Sequence, residues 1–264
     1  MGQVTTGRDL APGSQRRFSG PKGGGHGIVL PVFHPVVRAG RTLFPSRVYA
    51  PAEVARVLKD GHQSRKIGRI VAKGHRRGWP IFTLTLEERA TCPRSCGEWQ
   101  SCYGNRMQAA ERIEAVSSGT GGPDEGRALM NALSHEVVQL AEAYPRGFLV
   151  RLHVLGDFWS TDYVAFWAGL LRDVPALHLF GFTAHGPEST IGAAVGAMMA
   201  DCGWDRAAFR FSGAAGPMMA SRVIGPGEVD DSAILCPAQT GATDCCATCA
   251  LCWASQRSLA FRRH

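Results

Sequence analysis

Between Trp79 and Ser212 the chain alternates two apolar rhythms. Ile81, Phe82, Leu84 and Leu86, with Thr83 and Thr85 among them, predict a β-strand. Arg127 to Ala143 carries Leu129, Leu133, Val137 and Leu140 on one stripe at helical spacing. Phe148 to Leu155 predicts a second strand. Thr161 to Asp173, where Tyr163, Phe166, Trp167, Leu170 and Leu171 recur every three or four residues, predicts an amphipathic helix capped by Ser160 or Thr161. A strand at Leu177 to Thr183, a helix of small residues from Glu188 to Ala200 and a strand at Phe209 to Ser212 continue the series. Further helices are expected from Arg106 to about Val116, and after Pro51 through Glu53, Val54, Val57 and Leu58.

Strands and helices in alternation imply parallel pairing with crossover helices. The expected fold class is therefore α/β, a partial (β/α) barrel-like domain with a cysteine-rich C-terminal extension. The expected divisions are a flexible, Gly-rich basic tail over 1–27, an N-terminal basic segment over 28–78, the α/β partial barrel over 79–230 and the metal-binding extension over 231–264.

Composition changes this picture only at the edges. A chain of 264 residues with 45% hydrophobic and 19% charged residues has an ordinary globular balance. No apolar run is long enough to cross a bilayer and no secretory stretch opens the chain, so no membrane partner and a cytoplasmic location are expected. The net charge of +7 matters where it clusters: Arg65, Lys66, Arg69, Lys73, Arg76 and Arg77 follow one another without an acid. Such a stretch is either a solvated face or a surface for a nucleic acid or nucleotide.

Nine cysteines without an export signal argue against a disulfide framework and for metal ligation. Cys92, Cys96 and Cys102 stand on a Pro/Gly/Ser-containing loop just after a strand, with three and then five residues between them. Three thiolates can hold three irons of a [4Fe-4S] cluster and leave the fourth open, or bind zinc with a ligand from elsewhere. The second group joins Cys236 to Cys245, Cys246, Cys249 and Cys252. Cys246, Cys249 and Cys252 repeat every third residue and the remote Cys236-Pro237 can add a fourth thiolate, similar to a bacterial ferredoxin set in a different order. Zinc accepts the same tetrahedral sulfur site, and Cys245 is a spare thiol or an alternative ligand. One or two clusters are expected, in separate centres or in one shared between the groups. Cys202 reads as structural.

A strand, then a cysteine loop ending in Cys102-Tyr103, then alternating helices and strands, resembles the radical S-adenosylmethionine (SAM) superfamily over roughly Trp79 to Ser212. The usual spacing in that family is three and then two residues, and this loop departs from it. The usual spacing occurs instead at Cys245, Cys249 and Cys252, ahead of Trp253, a position that resembles the auxiliary-cluster extensions of some of these enzymes. The resemblance implies a catalytic cluster on Cys92, Cys96 and Cys102 whose open iron binds SAM, with Tyr103, Gly156 and Asp157 as cofactor-binding residues. The Leu155-Gly156-Asp157 segment stands where that family uses a Gly-Gly-Glu segment for the SAM amino group, and Asp157 is the candidate to hold an ammonium. Arg151, His153, Thr183, His185 and Arg210, on or just past strands, are candidates for the same mouth. The segment from Leu84 to Pro93 and Cys252-Trp253 also look like a phage and bacterial family called gene product eighty-eight, which implies no activity. A non-catalytic protein, stabilised by zinc or iron-sulfur centres and binding nucleic acid through its basic stretch, is the competing expectation.

Overall fold

Two prolines end two of the three long helices among the described residues. The computed structural model describes residues 28–64, 66–116, 125–225 and 227–263, so the tail over 1–27 and Arg65 lie outside the described residues. Helix α1 (Arg127–Ala143) stops at Tyr144 and α2 (Thr161–Asp173) at Val174, each immediately before a proline, whose ring disfavours a helical conformation in the preceding residue. Ser160 caps α2, its hydroxyl accepting the Tyr163 amide at 3.1 Å, and Ser189 does the same for α3 (Thr190–Cys202) through Gly192 at 3.0 Å. The stripe Leu129, Leu133, Val137 and Leu140 is buried as its spacing predicts, each side chain contributing about 1.5–3 kcal/mol.

The helices cover one face of an eight-stranded sheet. In chain order its strands are β1 (Lys59–Asp60), β2 (Ile81–Thr83), β3 (Phe148–Leu152), β4 (Leu177–Thr183), β5 (Ala207–Ser212), β6 (Ala220–Ile224), β7 (Ile234–Leu235) and β8 (Leu259–Arg262). Their spatial order is β1-β2-β3-β4-β5-β6-β8-β7, and every pairing is parallel except the antiparallel β1-β2 edge. The two edge strands do not pair with each other, so the sheet is α/β and mixed but not a closed barrel.

Alternation along the strands divides the core. Phe148, Val150, Leu152, Leu177, Leu179, Ala207, Phe209 and Phe211 pack against the three helices. Ile81, Leu149, Phe180 and Ala208 point the other way, onto Ile67, Val71, Cys245, Cys246, Ala247, Ala250 and Trp253. Residues 231–263 therefore do not stand apart. They fill the inner face of the sheet and supply two of its strands.

Two expected helices are absent, for a shared reason. After Pro51 only a 3-10 turn forms, at Pro51–Glu53; Val57 and Leu58 donate their amides at 2.7 and 2.8 Å to the carboxylate of Glu136 on α1. Between Arg106 and Val116 the chain makes the end of one 3-10 turn, Tyr103–Arg106, and a short strand at Arg112–Ile113 that pairs with Val48–Tyr49. Arg112 there binds the carbonyls of Met107, Ala110 and Gly104, acceptors that a helix would have used itself. A side chain from elsewhere replaces the local ladder in both cases.

Candidate metal centres

The loop that carries Cys92, Cys96 and Cys102 starts where β2 runs on in extended form. Leu84 and Leu86 donate to the carbonyls of Arg151 and Leu155 at 3.2 and 3.0 Å, which keeps the chain beside β3 to its end. Glu87, Glu88 and Arg89 follow, all buried. Glu88 receives Arg112 through two nitrogens, at 2.6 and 3.0 Å, and the Thr42 hydroxyl at 2.7 Å. Glu87 receives Arg41 and the Thr42 amide; burial pushes its carboxyl up, more than Thr42 and Arg41 pull it down. Arg89, at a φ of 65°, spans the loop, donating to the carbonyls of Trp99 and Arg41 and to Asn105. Buried charges are tolerated when paired and hydrogen-bonded: Glu87 and Glu88 each meet an arginine, and Arg89 is satisfied by two carbonyls and Asn105. None of these bracing residues is evident from spacing. Three successive charges inside an apolar stretch were the available signal, while Arg41 and Arg112, their remote partners, carried none.

Within this frame each cysteine marks a turn. The Cys92 amide donates to the Arg89 carbonyl, Cys96 to Pro93 and Asn105 to Cys102. The three thiols share one electrostatic environment. Burial pushes all three up; Asp157 and Cys102 add to the rise at Cys92, and Glu88 adds to that at Cys102, which is pushed up to about 12. Among the described residues no three His, Cys, Asp or Glu side chains form a ready metal cage. The donor chemistry nonetheless fits a thiophilic metal, because three thiols on one loop lie within reach of each other's charge and a bound cation would offset the desolvation that keeps them protonated.

Beyond the end of β3, the Gly156–Asp157 turn packs directly on this loop. A Cβ on Gly156, at a φ of 82°, would lie 2.6 Å from both Leu86 Cβ and Thr91 Oγ1. The Thr91 hydroxyl accepts the Asp157 amide at 3.1 Å. Asp157 is buried; one carboxylate oxygen accepts the Phe158 amide at 2.8 Å and the other the Ala184 amide at 2.6 Å. Burial outweighs these bonds and pushes its carboxyl up to about 6. The candidate for an ammonium thus also ties β3, β4 and the cysteine loop together.

The second group gathers beneath the sheet. Two short helices, Cys246–Cys249 and Leu251–Ala254, dock on residues 66–72 through Cys246 and Ala247 amides given to Lys66 and Ile67 carbonyls at 2.8 and 2.9 Å. Cys246 donates its thiol proton to Cys252, which with Arg210, Arg151 and Lys66 nearby draws Cys252 down to about 6 and drives Cys246 up. Cys236 lies within the field of both Cys246 and Cys249. Cys236, Cys246, Cys249 and Cys252 thus lie within electrostatic reach of one another without forming a ready cage, while the Cys245 sulfur lies 3.7 Å from the Thr248 hydroxyl. Lys66, Lys73, Arg151 and Arg210 bring positive charge to the group.

The remaining candidates separate. Arg210 is no mouth residue: fully buried, it donates to the carbonyls of Leu251, Cys252, Ser255 and Arg257 and clamps the cysteine segment to the sheet. His153 turns to the helical side, 3.1 Å from the Tyr163 hydroxyl, and burial drives it down to about 3. Thr183 accepts the His185 amide, and His185 contacts the Phe158 carbonyl, so both serve the Asp157 turn. Arg151 faces inward. Tyr103 keeps 44% of its surface accessible, and desolvation pushes its hydroxyl up.

The basic stretch does not form one face. Arg76 is buried against Asp205, Arg69 pairs with Asp60 at 2.9 Å, and Lys66 lies over the Phe261 ring; Lys73 and Arg77 are exposed. No described helix is long and apolar enough to cross a membrane.

Comparison with family models, with curated proteins and with solved structures finds no match to this chain.

Proposed function

We propose that the chain is an iron-sulfur protein acting as a radical-SAM-like enzyme, with its catalytic cluster on Cys92, Cys96 and Cys102. The observation that carries this reading is the position of those thiols, on a braced loop beyond the carboxyl end of β2 and beside the Gly156–Asp157 turn beyond the parallel strand β3. Ligands of open α/β sheets gather at that edge. Strands β2 to β6 adjoin in sequence order with their helices on one face, an order that supports reading the sheet as a partial barrel.

A cubane cluster on the three thiolates would supply, at its open iron, the electron for reductive cleavage of SAM. The chain's own residues prepare the place. Arg112 and Glu88 fix the loop, Gly156 lets it approach β3, and the Asp157 carboxylate, which accepts from Phe158, Ala184 and Thr183, retains one lone pair for an ammonium. Cys236, Cys246, Cys249 and Cys252 would hold a second centre, whose negative charge Lys66 and Arg210 offset. Its location inside the second core cluster favours a structural or electron-relay role, for which zinc serves as well as iron in the structural case. Binding of nucleic acid by the basic stretch draws no support from residues so dispersed.

An anaerobic preparation tests the reading by iron, zinc and sulfide content, and by electron paramagnetic resonance with and without SAM. Iron and sulfide in equal amounts, with a reduced-cluster signal that SAM alters, are expected. Cys102→Ala should remove the SAM-sensitive signal and leave the second centre. Zinc alone would sink the proposal, and a spectrum indifferent to SAM would reduce it to cluster binding.

A further inference from the structure

Among the buried or half-buried arginines of the described residues, Arg151 is the one that makes no hydrogen bond or ion pair, although the Nε atoms of Arg47 and Arg76 are also buried without a partner. Arg112 spends its in-plane donors on Glu88 and three carbonyls, Arg210 on four carbonyls, Arg89 on two carbonyls and Asn105, and Arg76 on Asp205. Arg151 stacks its flat face on aromatic rings, 4.4 Å from the Phe182 centroid and 5.7 Å from Phe180. Stacking uses the π-face of the guanidinium and leaves its N–H donors, which lie in the plane, unused. Its Nη1 is buried without a hydrogen-bond partner, and its side chain forms no ion pair among the described residues. A charged fork held in one orientation, dry on its faces and unsatisfied at its edge, suits a planar or tetrahedral oxyanion.

The surroundings agree. Arg151 lies on the inward side of β3, in the field of Tyr103 on one cysteine loop and of Cys252 in the other group. Lys66 rests 4.8 Å over Phe261, whose ring meets Phe182 edge to face at 5.3 Å, so two cations stand on neighbouring rings. Lys66 too forms no ion pair among the described residues.

We propose that Arg151 anchors the oxyanion, phosphoryl or carboxylate, of a small-molecule ligand bound on the inward side of β3, with Lys66 adding long-range attraction. Calling that ligand the substrate rests on the reading under Proposed function; the anion site itself does not.

The test is titration of the whole protein with inorganic phosphate and with acetate, followed by calorimetry and by nuclear magnetic resonance of arginine Nε–H groups. Phosphate or acetate should shift the Arg151 signal saturably, and the tighter of the two names the oxyanion. Arg151→Gln should weaken binding at least about tenfold, the worth of a charge-assisted pair, while Arg77→Gln, on the exposed stretch, stays within about twofold. Should Arg151→Gln fail to fold, Arg151→Lys carries the test, since it keeps the charge, loses the fork and should bind several-fold more weakly. An unshifted Arg151 signal, or equal affinity in the Arg151 variants, overturns the proposal. So does a variant that loses metal from the C-terminal group with phosphate affinity unchanged, which makes Arg151 a counter-charge to thiolates. Phosphate binding that persists under saturating SAM supports a substrate site; competition assigns the anion to SAM itself and removes the substrate claim. Anion binding in a preparation containing only zinc keeps the site while the radical reading fails.

Discussion

Asp157 and His153 are buried titratable groups a few residues apart with opposite displacements. Asp157 is pushed up to about 6 by burial, so the fold favours its neutral form; the stability it contributes is whole below its ordinary value and falls as pH rises through 6. Burial drives His153 down to about 3, so its contribution is whole above its ordinary value and falls as pH drops towards 3. Between about pH 4 and 6 the two slopes cancel. Asp157→Asn removes one of them. Its unfolding free energy, followed by urea titration, should rise by about 3 kcal/mol from pH 4 to pH 6 relative to wild type, the equivalent of about two pKa units. A variant that tracks the wild-type profile would show that the carboxyl is not held neutral.

The cysteine loop is an element without regular structure, and its rigidity comes from ions. Arg112→Met leaves the Glu88 carboxylate buried without its guanidinium, and loss of one partner from such a pair costs about 3–5 kcal/mol. Urea unfolding should show that loss, and the variant should retain less metal at Cys92, Cys96 and Cys102 than at the second group. What was legible in the sequence divides along the same line. Helices at 127–143 and 161–173 and the strand at 177–183 were readable because their stripes, caps and terminating prolines are local. The expected helices at 51–58 and 106–116 failed because Glu136 and Arg112 take over their backbone bonds from a distance. The cysteine groups were visible by spacing. The contact of Cys245 with Thr248 and the bracing by Glu88 depend on packing that spacing does not encode.

For the whole molecule, the inner face of the sheet is closed by its own later residues. Arg210 is the fastener, and its guanidinium satisfies the carbonyls at the end of the last short helix. Arg210→Met should loosen that closure. Hydrogen exchange at Trp253 to Arg257 should speed up markedly, with little change in α1; uniform exchange across both regions would mean that the clamp is dispensable. Alternation did indicate a sheet with helices on it, but it gave no sign that a stretch read as an appendage would be the second half of the core.

One feature of the sheet bears on how the chain is made. Strand β8 lies between β6 and β7, yet it is synthesised after both. Until Leu259–Arg262 emerges, β6 presents an open edge and β7 has no neighbour to join. Such an edge is a template for intermolecular pairing, so the nascent chain passes through a stage vulnerable to self-association. The Cys236 amide donates to the Ala260 carbonyl of β8, so the position of this cysteine also waits for the last strand.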